Sequence, residues 1–208
     1  MSLLQHQRVG VFVDVQNMFY AARQLYGSKV NYSRLLEHIV RDRALVRALA
    51  YVVQTPEIDQ SNFLAMLRSN GYEIRSKDLK VRPDGSSKGD WDMGLALDAL
   101  AMSERLDVVA LVSGDGDFVE LVNFLKARGV RVEVYSFPYS AAEELRHTAT
   151  EHYQMGTEMV MNSPSRVANS CAAPNAAPSA SLGREKFHEP PDHVLHDEEI
   201  EPFRTPVR

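Results

Sequence analysis

Cysteine is nearly absent from this chain: Cys171 stands alone among 208 residues. An intrachain disulfide is therefore excluded, and so is a cysteine-ligated zinc cluster. Long apolar runs are missing too, since no window approaches the ~18 consecutive apolar residues of a membrane span. The opening residues, MSLLQHQRVG, lack a charged segment followed by an apolar stretch, so no secretory signal is expected. A cytoplasmic protein without membrane contact is the expectation. An excess of basic charge is also lacking. With 23 Lys and Arg against 28 Asp and Glu, the net charge of −5 argues against a strongly basic nucleic-acid binder, although an average hides local patches. There is no internal repeat.

What is present reads as a globular domain with an appendage. Hydrophobic residues make up 44% and charged residues 25%, which excludes a wholly disordered or collagen-like chain. From Ser163 onward the composition changes. Seven of the ten prolines fall there, with Ala/Ser/Asn stretches such as NSCAAPNAAPSAS. Five Lys/Arg and seven Asp/Glu lie in this part, leaving 18 and 21 before it. Such a segment cannot bury enough apolar surface to offset its ordering entropy. The expected organisation is a folded domain over 1–161 and a disordered Pro/Ala-rich tail over 162–208. A short apolar island around Val194, Leu195 and Ile200 is the part of the tail suited to docking on a protein partner, against the plainer expectation of a solvated tail.

Within the folded part, strand and helix patterns alternate. Val9–Val15 (VGVFVDV) is a short β-branched apolar run, as expected of a strand buried on both faces. Helical spacing follows over Asn17–Leu25 and Tyr32–Val40. A second strand spans Ala44–Gln54, and a helix carrying Phe63, Leu64 and Leu67 stops at Asn70-Gly71. Tyr72–Leu79 is a weaker strand, and VRPDGSSKGD reads as a loop. Then come a helix over Trp91–Ser103, a strand at Val108–Val112, a helix over Phe118–Arg128, a strand at Val130–Ser136 and a last helix over Ala141–Thr148. Strands separated by helices predict an α/β domain: a three-layer α/β/α, Rossmann-like arrangement around a central parallel sheet.

In such sheets ligands bind beyond the carboxyl ends of the strands. Three acidic groups fall at those ends or at helix starts. Asp14, with Asn17 shortly after, ends the first strand. Asp115 and Asp117 follow VVALV in Ser113-Gly114-Asp115-Gly116-Asp117. Asp90 and Asp92 open the helix in KGDWDMG. An Asp before a helix is commonly an N-cap, which stays open for Asp90 or Asp92 taken singly. Asp14 differs, because it interrupts an apolar strand where an uncompensated charge is expensive. If the first and fourth strands are neighbours, the three groups share one rim and favour a metal site. All the donors are oxygens, which selects Mg²⁺ or Mn²⁺ over zinc or copper. Phosphodiester hydrolysis is the chemistry that suits such a site.

The segments VFVDVQNMFY, KGDWDMGLALDAL, LVSGDGDFVELVNFLKARGVRVEVYSF and the closing helix resemble the LabA-like branch of the NYN domains, relatives of the PIN-domain nucleases. The resemblance runs from about Val9 to Met155 and keeps the order and spacing of the acidic blocks. It implies a PIN-like fold, an acidic pocket binding Mg²⁺ or Mn²⁺, and cleavage of single-stranded or structured RNA. By motif, Asp14, Asp92 and Asp115 match the metal-binding carboxylates. Asn17 matches the polar residue that orients the first Asp, Asp117 the additional acid, and Ser113 the hydroxyl beneath the site, with Asp90 beside it. Relatives often carry a late Asp where this chain has Glu151 in ATEHYQM, and Glu151 is left outside the site. The branch also includes members with regulatory roles, so a non-catalytic RNA- or protein-binding module is the alternative. A small-phosphate-ester phosphatase is the weaker third reading, since Gln16 stands where such enzymes place a second acid.

RNA beside an acidic pocket needs cations nearby. Arg75, Lys77, Lys80, Arg82 and Lys88 fall in the segment leading into Asp92, with Lys88, Arg82 and Lys80 the expected RNA contacts, chiefly to phosphates. Trp91 is a candidate for stacking on a base, while Tyr20 and Tyr72 read as core or half-buried. Asp98 lies roughly 120° around the helix from Asp92 and is expected to pair with a basic neighbour. Self-association through an apolar sheet edge completes the set of expected partners.

Overall fold

A computed structural model describes residues 6–55, 58–78 and 91–161, together with the backbone of 80–81 and 87–88. The expected tail, Arg82 and Asp90 lie outside the described residues. The elements run β1 (Arg8–Asp14), α1 (Val15–Tyr26), α2 (Tyr32–Val40), β2 (Ala44–Gln54), α3 (Ser61–Ser69), β3 (Glu73–Asp78), β4 (Lys80–Val81), β5 (Ser87–Lys88), α4 (Asp92–Met102), β6 (Val108–Val112), α5 (Val119–Ala127), β7 (Arg131–Ser136), α6 (Glu143–Thr148) and β8 (Glu151–Gln154).

Six strands form one sheet in the order β3-β2-β1-β6-β7-β8. Every pairing in it is parallel. The chain winds outward from β1 to β3, returns to the middle, and winds outward again from β6 to β8. That is the doubly wound order, and its switch point falls between β1 and β6. Val11 sits opposite Ala48 on one side and Ala110 on the other, and Val13 lies between Ala50 and Val112.

The two-residue period of the strands sorts the core into two layers. Val11, Val13, Ala50 and Ala110 pack under α1, α2 and α3 with Met18, Leu35 and Leu67. Phe12, Tyr51, Leu111 and Val134 face the other way, under α4, α5 and α6 with Leu95, Val122 and Leu145. Gly71, at φ 88°, ends α3 in the left-handed region where a side chain would be strained. No helix among the described residues is long and apolar enough to cross a membrane.

The structure departs from the sequence reading at two places. The segment expected to be a loop contains a small antiparallel pair, β4 with β5, in which Lys80 stands opposite Lys88. A sixth strand, β8, follows the last helix and pairs with β7. Glu151 opens that strand, and its carboxylate accepts from Tyr153 and pairs with Arg131, each at 2.5 Å. It is thereby tied at the amino end of β8, at the opposite end of the strands from the acidic rim.

A buried ion pair locks the amino ends together. Arg43 makes two 3.0 Å contacts to the two oxygens of Glu133, which also accepts from Tyr135 at 2.9 Å and Arg131 at 3.1 Å. Burial pushes the Glu133 carboxyl up, but the hydrogen bonds and the Arg43 charge outweigh it and hold the group below its usual value.

Candidate metal centre

Two chain segments meet at the switch point. Asp14 is both the last residue of β1 and the N-cap of α1, its Oδ1 accepting from Asn17 N at 3.0 Å. The other Asp14 oxygen accepts from Ser113 Oγ at 3.1 Å. Ser113 is fully buried just beyond β6, and its Oγ accepts in turn from Asp115 N at 3.2 Å. Asn17 closes the link, accepting from Gly114 N at 3.0 Å through its side-chain oxygen. The Asp14 strand end and the SGDGD turn are thus one hydrogen-bonded unit. Gly114 is required there: a Cβ would fall 1.9 Å from the carbonyl oxygen of Ser140.

Asp115 caps the short 3₁₀ turn Gly116–Phe118, with Oδ1 accepting from Asp117 N at 3.0 Å. Asp92 comes from a third segment, in the first turn of α4. One carboxylate oxygen from each of Asp92, Asp115 and Asp117 lies within 4.8 Å of the others. Asp92 and Asp115 are half-buried and Asp117 is exposed. Among the described residues no lysine or arginine pairs with Asp14, Asp115 or Asp117. Three carboxylate oxygens this close, all hard donors, make a set that fits a hard divalent ion.

The expected ligand trio is Asp14, Asp92 and Asp115, and all three line the cleft. The compact group is Asp92, Asp115 and Asp117, while Asp14 lines the same cleft beside it. The reason is local geometry. Asp14 is drawn back by Asn17 and Ser113, and the 3₁₀ turn carries Asp117 forward. Burial raises the Asp14 carboxyl above its usual value, its hydrogen bonds partly offset that, and the nearby Asp115 charge adds to the rise.

The cleft holds about 230 Å³ and is lined by Asp14, Asn17, Asp92 and Asp115 together with Tyr20, Tyr51 and Trp91. Trp91 is fixed by donating its indole N–H to Val52 O at 2.9 Å and by an edge contact with Tyr51. The ammonium of Lys77 rests 4.7 Å from the Trp91 ring centre. Asp98 does pair with a basic neighbour: Arg75 Nε lies 3.2 Å from its Oδ2, which also accepts from Tyr51 O–H at 3.0 Å. Burial and the Asp98 charge push the Tyr51 phenol far above its usual value, so it stays a donor. Tyr51 escaped the sequence reading because it sits inside an apolar strand. Period two along β3 is the signal that puts Arg75 and Lys77 on one face. The side chains of Lys80 and Lys88, like Arg82 and Asp90, lie outside the described residues.

A doubly wound parallel sheet with an acidic cleft at its switch point defines the class as a three-layer α/β protein of Rossmann-like type. The NYN domain model matches residues 8–156, and the chain belongs to that family. It is similar to the low amplitude and bright protein LabA of Synechococcus elongatus, with 33% identity over 154 residues, 70% of this chain and 82% of that protein. It is also similar to the crystal structure of a protein of unknown function, VPA0982, from Vibrio parahaemolyticus. That likeness has a TM-score of 0.71 and 33% identity, covering 77% of this chain and all of the other. The chain is a LabA-like NYN domain protein.

Proposed function

We propose that this protein is a Mg²⁺- or Mn²⁺-dependent ribonuclease acting on phosphodiester bonds of single-stranded or structured RNA. The observation that carries the reading is the meeting of Asp92, Asp115 and Asp117 within 4.8 Å, beside Asp14, in a family related to nucleases. Asp92, Asp115 and Asp117 would hold the ion. A divalent ion in such a setting lowers the pKa of a bound water and neutralises charge on a phosphoryl oxygen.

The chain's own groups do the rest. Ser113 and Asn17 fix Asp14 and the Gly114 backbone, which sets where Asp115 and Asp117 stand. Asp14, half-buried and raised in pKa by desolvation, is suited to accept a hydrogen bond or a proton from water in the cleft. Lys77 and Arg75 border the Trp91 side and supply cations for phosphate oxygens, with Lys80, Arg82 and Lys88 following in the chain. The indole of Trp91, which lines the cleft, is the group suited to stack on an unpaired base. The reaction would take place in the cytoplasm.

One feature favours the alternative of a non-catalytic RNA-binding module. Each Asp14 oxygen already accepts a hydrogen bond, so the ion-binding group includes an exposed side chain, Asp117. The same experiment separates the two. Purified full-length protein is incubated with labelled single-stranded RNA in Mn²⁺, in EDTA, and as Asp115→Asn. Cleavage in Mn²⁺ that is lost in EDTA and in the variant supports the nuclease. RNA shifted in a native gel yet intact in every lane contradicts it.

A further inference from the structure

The carboxyl rim of the sheet carries a second cavity that the metal centre does not use. It encloses about 140 Å³ at the ends of β7 and β8 and is lined by Ser136, Arg146, His152 and Gln154, with Tyr139 at its edge. Ser136 is fully buried, and its Oγ lies 2.8 Å from His152 Nε2. No carboxylate lines this cavity, in contrast to its neighbour. The Arg146 guanidinium has no carboxylate partner among the described residues. A hydroxyl, an imidazole, a guanidinium and an amide make a donor set for an anion. Burial and the Arg146 charge keep the His152 imidazole below its usual pKa.

Tyr139 places an aromatic ring beside this donor set. Its side chain is wholly exposed, and its backbone sits at φ 60°, a left-handed conformation that a bulky residue rarely adopts. The loop that carries it is held firmly. Ser140 donates to Phe137 O from both N and Oγ, at 3.2 and 2.9 Å, and Ala142 N donates to Gly114 O at 2.9 Å. That last bond ties the loop to the same SGDGD turn that positions Asp115. With strands spaced by roughly 5 Å, the cavity lies roughly 5–10 Å along the rim from the end of β6.

We propose that this cavity is a nucleotide subsite, in which Arg146, His152 and Ser136 hold a phosphate of the RNA strand and Tyr139 stacks on the attached base. It rests on the reading of the acidic cleft as an RNA-cleaving centre and names where the strand continues beyond it.

The test follows the His152 imidazole resonances of the full-length, metal-free protein by NMR, assigned from their loss in His152→Gln. Uridine 5′-monophosphate is titrated in, and inorganic phosphate serves as the base-free probe. The expected result is a saturable shift with the nucleotide that disappears in Arg146→Ala and persists in Asp115→Asn. Tyr139→Gly suits the left-handed backbone, so it retains or raises Tm, yet it weakens nucleotide binding at least about 5-fold, the low end of base–aromatic stacking. Phosphate binding is indifferent to that change. Resonances that ignore the nucleotide, or that respond undiminished in Arg146→Ala, overturn the subsite. Equal affinity for nucleotide in wild type and Tyr139→Gly overturns the stacking role. The two readings fail separately: a protein that takes the nucleotide here but cuts no RNA loses the nuclease and keeps the pocket, whereas a nuclease whose His152 ignores the nucleotide loses the pocket.

Discussion

Asn17 shows how one residue can organise two segments about 100 positions apart. Its backbone N–H holds Asp14 and its side-chain oxygen holds Gly114 N, so removing the side chain frees the turn that aims Asp115. Outer partners of metal ligands typically matter 10–100-fold for affinity or activity. On the proposed nuclease function, Asn17→Ala is expected to cut RNA turnover by about that factor at saturating Mn²⁺ while unfolding cooperatively; a rate equal to wild type contradicts its positioning role. Asp14 gives a prediction of opposite sign for stability. Its folded-state pKa is raised by burial, so its contribution is fully present below the usual carboxylate range and is lost as pH rises through the folded-state value. In EDTA, Asp14→Asn is therefore expected to melt at a higher temperature than wild type at pH 7.5. The gap closes as the pH falls and the wild-type carboxyl takes up its proton. A variant that melts lower throughout, followed by calorimetry, contradicts the sign.

Between elements, the Arg43–Glu133 pair behaves as the reverse case. The Glu133 carboxyl is held below its usual value, so its stabilisation is present above the ordinary glutamate range and is lost as pH falls through the folded-state value. Arg43→Ala leaves the Glu133 charge buried with only Tyr135 and Arg131 to offset it, and is expected to cost about 3–5 kcal/mol in urea denaturation. A cost below 1 kcal/mol contradicts the pair's role. The same region explains what the sequence hid. β1, β2 and β6 were legible because their side chains are apolar on both faces, and the stop at Asn70-Gly71 was legible from turn chemistry. β8, with the sequence EHYQ, was not: it is an edge strand whose place comes from backbone pairing with β7 and from Glu151 meeting Arg131. Neither has a hydrophobic period. The β4–β5 pair escaped for the same reason, being two residues a side in a Gly/Ser-rich stretch. The acidic rim was legible as a set, since a carboxylate after an apolar strand has few plain uses. Which members cluster was not, because that depends on the 3₁₀ turn at Gly116–Phe118 and on hydrogen bonds between segments remote in the chain. The Ser136–His152 pair left no trace in the sequence, because one partner ends β7 and the other belongs to the unforeseen β8.

For the molecule as a whole, the doubly wound order does the assembling. It brings the ends of β1 and β6 side by side, sends α4 in above them, and leaves the amino ends to be closed by ion pairs. Ion pairs such as Arg8–Asp107 and Arg43–Glu133 gather toward the amino end of the sheet, and the neighbouring carboxylates of Asp92, Asp115 and Asp117 lie at the other. The central question is whether a hard divalent cation takes its place among those carboxylates, whose oxygen donors suit one. Crystals of the full-length protein soaked in Mn²⁺ and measured at the manganese absorption edge give the most direct answer. The prediction is an anomalous peak bonded to oxygens of Asp92, Asp115 and Asp117, absent from crystals of Asp115→Asn treated alike. Well-ordered crystals with no peak in the cleft, or with the three carboxylates turned to lysine or arginine partners, would contradict it.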